Sequence, residues 1–167
     1  MITPGWVRMM ARYNAWQNRG LRRDVQALDA GEATRDRGAF FESILGTCNH
    51  LLRADEMWLS RLADGPEAPP GGIAESRNQT PDVAAWAARR KATNTAITRW
   101  AEALSDCDGD LPCSSGALGR DIARPMAVLL THFFNRQTHH RGQIHAMLTA
   151  TGVEPEDTDL PFMPEPA

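Results

Sequence analysis

The sequence predicts an all-α fold, a four-helix bundle with long crossover connections. Four segments repeat apolar residues every three or four positions, the spacing of one helix face. The stretches between the second and third segments (64–72) and between the third and fourth (107–124) are crowded with turn formers and too long for tight hairpin loops. A chain of 167 residues can bury a full core, so residues 1–167 read as one domain.

The first helix is expected over 4–28. Thr3 offers a capping oxygen, and Pro4 suits the first helical position, where its missing N–H costs nothing. Trp6, Met10, Tyr13, Gln17, Leu21 and Leu28 share a face, and Asp29-Ala30-Gly31 ends the run. The second helix is expected over 38–62 and is closed by Gly65. Its apolar face holds Phe40, Phe41, Ile44, Cys48, Leu51, Leu52, Trp58, Leu59 and Leu62. Asp55 projects within about 20° of the centre of that face. A buried carboxylate is costly unless it is paired or hydrogen-bonded, so Asp55 has either a structural partner across the bundle or a catalytic task. His50 lies on the shoulder of the same face, in line with Thr47, Ala54 and Met57.

The third helix opens at Thr80-Pro81-Asp82, a cap, a proline and a first-turn acid, and runs to about 105. Val83, Trp86, Arg90, Thr93, Ile97, Trp100 and Leu104 form its seam. The polar middle of that seam, Arg90 and Thr93, either faces a site or marks an outward bend. Ser114-Ser115-Gly116 suits a small hairpin before the last helix. That helix is expected over 125–151, with Gly152 in the C-cap position. The tail beyond it is expected to be extended, packing through Leu160, Phe162 and Met163, or partly disordered.

Composition removes several function classes. The net charge of -3 lacks the basic excess of a nucleic-acid binder, and Arg22-Arg23 and Arg89-Arg90-Lys91 read as solvated helix faces. No apolar run approaches the roughly 18 residues of a membrane span. The N-terminus lacks a secretory pattern, and Cys48, Cys107 and Cys113 follow no disulfide spacing, so a cytoplasmic protein with reduced thiols is expected.

The chemistry concentrates in 131–145, which holds four of the five histidines. On a helical projection His140 lies within about 40° of the inward face, with Arg136 one turn earlier beside it. His132 and His139 fall on the flank and His145 toward the opposite one. Two inward histidines at i and i+4 would offer two imidazoles to one metal; here the helix offers one imidazole and a guanidinium. Arginine has no lone pair to donate, but its fork of donors suits a carboxylate or phosphate. A lone inward histidine is also compatible with a hydrogen-bonded core residue.

Several of these residues carry a family resemblance. The run 11–18 (ARYNAWQN), the run 43–55 (SILGTCNHLLRAD) followed by Trp58-Leu59, the run 135–143 (NRQTHHRGQ), and Gly152-Val153-Glu154-Pro155 resemble the DinB-like (damage-inducible protein DinB) family along nearly the whole chain. The resemblance implies a four-helix bundle with an unusual connection order, commonly a homodimer. It implies a divalent metal, often nickel or zinc, on one histidine of the second helix and an HxxxH pair of the fourth. It also implies an activity that is rarely established, described as a metal-dependent hydrolase, with thiol-dependent transferases among neighbouring families. Carried to this chain, the ligands are His50 and His140, and the remaining ligand position holds Arg136. Two expectations result. One is a protein with weak or absent metal binding, in which Arg136 and an interior acid such as Asp55 contact each other or a small-molecule ligand. The other is a metal-dependent enzyme, hydrolase or transferase, built on His50 and His140.

Overall fold

A computed structural model describes residues 2–63, 66–115 and 119–165, without the side chains of 113–115. Expectations placed on Asp64, Gly65, Gly116 and the Cys113 side chain lie outside the described residues. Five helices and one small sheet follow in order: α1 (Pro4–Gln26), α2 (Ala30–Thr34), α3 (Ile44–Leu62), a 3-10 turn (Glu75–Asn78), α4 (Val83–Ala103), β1 (Asp110–Ser115), β2 (Arg120–Pro125), α5 (Met126–Thr149) and a last 3-10 turn (Leu160–Phe162). The strands pair antiparallel, from Asp110 opposite Pro125 to Ser115 opposite Arg120. They form the expected hairpin ahead of α5. Among the described residues no helix is long and apolar enough to cross a membrane.

Local chemistry explains the boundaries. Thr3 Oγ1 accepts from Trp6 N at 3.2 Å, with Pro4 at the first helical position of α1. Ser43 caps α3 by accepting from Gly46 N at 3.0 Å, so that helix starts six residues later than its apolar pattern suggested. The preceding residues 39–42 instead make a tight turn closed by an Ala39–Glu42 bridge, with Glu42 in the left-handed region at φ 67. Phe40 therefore leaves the core and is 81% exposed, while Phe41 is buried. The cap of α4 is Asp82, which accepts from Ala85 N at 2.8 Å; Thr80 turns inward and donates to Asn49 Oδ1 at 2.6 Å. Gly152, at φ 86, follows the end of α5 in the left-handed conformation that ends helices.

The long helices pack so that α1 and α3 each lie against both α4 and α5. The apolar interior is divided. One cluster gathers Val7, Trp58, Ile97, Trp100, Leu130, Phe133 and Phe134, and the other gathers Val25, Ile44, Leu51, Leu52, Trp86, Ile144 and Leu148. Buried polar residues from all four long helices occupy intermediate positions along them: Asn14 and Asn18, Asp55, Arg90 and Asn94, Gln137 and Arg141. Arg90 is thus not a solvated residue, and the α4 seam does not bend outward there. Its Nη1 donates to Asp55 Oδ2 at 2.6 Å, and both residues are at most 1% exposed. The tail is held to α1 through its backbone. Tyr13 Oη donates to Thr158 O at 2.5 Å, Gln17 Nε2 to Asp157 O at 2.9 Å and Arg12 Nη2 to Pro164 O at 3.3 Å. Phe162, expected to pack inward, is 63% exposed.

Candidate functional site

His50 on α3 meets Arg136 and His140 on α5, with the two imidazole centroids 4.7 Å apart. Arg136 Nη2 approaches His50 Nε2 to 2.6 Å. Two further residues complete the surroundings. Phe41, delivered by the turn before α3, stacks on the His50 ring at 3.7 Å between centroids. That stack depends on Gly46, since a Cβ there would collide with the Phe41 carbonyl oxygen. Ser76, from the 3-10 turn, places Oγ 2.7 Å from His50 Nδ1.

Ser76 comes from the Pro- and Gly-rich connection, and α3 itself pins that segment in place. Asn49 donates to the carbonyls of Arg77 (2.9 Å) and Thr80 (3.2 Å), and Arg53 donates to those of Pro69 and Pro70 at 3.3 Å each and of Gly71. The expected loop is thus an ordered wall of the site.

The protons can be placed. Arginine only donates, so His50 Nε2 must accept from Arg136. The His50 proton then sits on Nδ1 and is donated to Ser76 Oγ, which donates onward to Ile73 O at 2.5 Å. His140 donates Nδ1–H to Gln143 Oε1 at 2.9 Å, which leaves its lone pair on Nε2. Both rings are held neutral. Burial, reinforced by the Arg136 charge, lowers His50 to about 3. Burial also lowers His140 to about 4, partly countered by the Gln143 bond, with Arg136 again lowering it. Burial lowers Arg136 too, while the field of Asp55 raises it.

This donor set does not fit a divalent cation. The His50 lone pair that a metal would use is occupied by an arginine proton, Arg136 has none to offer, and only His140 Nε2 remains. Among the described residues no group of three or more His, Cys, Asp or Glu side chains could hold a metal ion. The arrangement suits an anion instead, because a half-buried guanidinium that gives one N–H to His50 keeps further donors for an oxyanion.

Asp55, expected as a contact of Arg136 or of a ligand, is committed to Arg90 and reaches Arg136 through its field. His132 is exposed and lies against Trp58, at 5.2 Å between centroids. His139 is also exposed, and His145 is half-buried on another side of α5. Sequence reasoning did not find Phe41, Ser76 or Gln143 as site residues. Gln143 had a usable signal, three residues after His140 on the same helix face. Ser76 had none.

Comparison with known protein families adds one finding. Residues 1–167 match the model described as the DinB family. Comparisons with curated proteins and with solved structures gave no match.

Proposed function

The chain belongs to the DinB family, and from that premise we propose that it is a member with weak or absent metal affinity, whose Arg136 and His140 receive a small anionic ligand. In this reading the four long helices form the crossover bundle of the family, in a cytoplasmic homodimer. The observation that carries the reading is the 2.6 Å bond from Arg136 Nη2 to His50 Nε2. It puts a permanent positive charge and a proton where the family resemblance expects a ligand lone pair. An oxyanion of the ligand would take the remaining Arg136 N–H groups, and a neighbouring hydroxyl or N–H would donate to His140 Nε2. His50 orients the guanidinium, and Ser76 fixes the tautomer that lets it do so.

The 4.7 Å approach of the two imidazoles supports the second reading, a metal-dependent hydrolase or thiol-dependent transferase using His50 and His140. That reading requires Arg136 to leave His50. Elemental analysis of untagged protein separates the two. The expected result is no stoichiometric nickel, zinc, iron or manganese and no zinc uptake at micromolar levels. Arg136→His is expected to gain zinc or nickel affinity by at least about 100-fold, since it adds a third imidazole. A parent that binds zinc stoichiometrically, or a variant that binds no better than the parent, would overturn the proposal.

A further inference from the structure

We propose a second small-molecule site, independent of the Arg136 site, in the cleft between α1 and α5 beneath the C-terminal tail, where Arg141 receives the carboxylate or phosphate of a small organic anion. Arg141 is five residues beyond Arg136, about 140° further round the helix, so the two guanidiniums serve different sides of α5.

The cleft encloses about 280 Å³ and is lined by Tyr13, Gln17, Thr138, Arg141, His145 and Thr158. That volume suits a ligand of a few heavy atoms around one ring. No acidic side chain lines it, and the acids of the adjoining space that shares Arg141, Asp24 and Glu156, are both bonded to Arg23. Arg141 is only 8% exposed, and its polar contacts are neutral: Asn14 Oδ1, Thr138 Oγ1 at 3.5 Å, and the Tyr13 ring with the guanidinium carbon 5.4 Å from its centroid. Among the described residues no carboxylate pairs with it; Asp55, whose field reaches it, is bonded to Arg90. Burial lowers its pKa to about 10, which still leaves it charged at neutral pH. A buried cation without a counter-ion is costly, and an anion in the adjoining cleft removes that cost.

Gly142 is the independent second observation. It lies in the interior of α5 and lines the same cleft. Glycine in a helix interior is less favourable than alanine. The fold does not require it: its φ is not in the left-handed region, and a Cβ built on it meets nothing within 4 Å. The missing side chain keeps the cleft wall open for something that is not part of this chain. The existing hydroxyls are already directed, Tyr13 Oη to Thr158 O and Thr138 Oγ1 to Phe134 O at 3.2 Å. The oxyanion is therefore left to Arg141, with the His145 ring beside it.

The test is titration of the full chain with benzoate and with phenyl phosphate, followed by amide chemical shifts. The expected result is saturable shifts clustered at Gly142, His145 and Thr158, with the stronger of the two probes naming the anion class. Gly142→Leu, which fills the cleft, and Arg141→Gln are each expected to weaken binding at least about tenfold. Arg136→Gln leaves the shifts at Gly142, His145 and Thr158 unchanged, whatever it does to binding at the Arg136 site. Should Arg141→Gln fail to fold, Gly142→Leu still decides, because a Cβ at that exposed position meets nothing within 4 Å. The proposal is overturned by the absence of saturable binding of either probe, or by full binding in Gly142→Leu. It is equally overturned if Gly142→Leu alters self-association instead of binding, which would assign the glycine to an interface between copies.

Discussion

Breaking the Asp55–Arg90 pair tests whether Asp55 serves the fold or the site. The two residues are 0% and 1% exposed and bonded at 2.6 Å, and Asp55 Oδ1 with Arg90 Nε and Nη2 have no protein partner among the described residues. Removing one member leaves a buried charge uncompensated, which costs about 3–5 kcal/mol. For a chain of this size, where 1 kcal/mol moves the melting temperature by about 2–4 °C, Asp55→Leu should lower Tm by roughly 6–20 °C. Arg90→Met alone should fall in the same range. The double variant removes both charges and the unpaired polar atoms with them, so it should recover most of the loss. The shape penalty of leucine is common to the single and double variants and cancels in the cycle. Urea denaturation of the four proteins should return a coupling of at least about 1.5 kcal/mol, within the usual span for contacting groups. Additive losses, or an Asp55→Leu variant that keeps its stability and loses only ligand binding, would refute a structural role.

The remaining predictions concern protons and thiols. His50 and His140 are held at about 3 and about 4 in the folded chain, against about 6.5 unfolded. With folded values depressed, the unfolded chain binds the extra protons, so stability is complete above pH 6.5 and falls as pH drops toward 4. Each imidazole contributes a slope of up to about 1.4 kcal/mol per pH unit. Urea midpoints between pH 7 and 5 should therefore fall, and His140→Asn should remove about half of the slope; a flat profile in the parent would show that the rings are not buried neutral. Cys48 is buried, and desolvation pushes its thiol well above the ordinary range. It should resist iodoacetamide at pH 8 in the native chain and react once urea unfolds it, as mass mapping would show; rapid native labelling would contradict the packing around it.

The helices were legible because their ends carry local chemistry. Thr3-Pro4, Thr80-Pro81-Asp82 and Gly152 act within a few residues of themselves, although Asp82 and not Thr80 is the cap of α4, and the apolar repeats of α1, α4 and α5 place those helices to within three residues at each end. The start of α3 was not legible, because Phe40 and Phe41 continue its apolar pattern. Only the Ser43 cap and the turn with Glu42 at φ 67 show that the helix begins after them. Helix projection turned His140 inward and set His50 on the shoulder of its face, and the family resemblance is what paired them. The Ser76 partner of His50 was not readable, since it lies 26 residues from His50 in a connection with no period to project. Arg90 was misplaced for a related reason. A guanidinium looks solvated until the carboxylate 35 residues away is known to meet it.

The interior electrostatics tie these residues together. Arg90, Arg136 and Arg141 are buried or half-buried on α4 and α5, and Asp55 is the acid whose bond or field reaches all three. Asp55 is bonded to Arg90, so the Arg136 charge stands beside the two imidazoles without a carboxylate bonded to it among the described residues. That charge disfavours a divalent cation even where geometry would allow one, and it adds to the burial that keeps His50 and His140 deprotonated. Arg136 is therefore more than one missing ligand. Replacing it by histidine removes a charge as well as supplying a lone pair, and both changes favour the metal. Arg136→Gln separates the third imidazole from the rest, because it removes the charge and the guanidinium proton on His50 Nε2 and supplies no imidazole. If the charge and that proton dominate, Arg136→Gln should recover part of the zinc affinity expected of Arg136→His, and His140 should titrate higher by NMR. If only the third imidazole matters, the glutamine variant should bind zinc no better than the parent while His140 still moves up, since the field acts on the ring in either case.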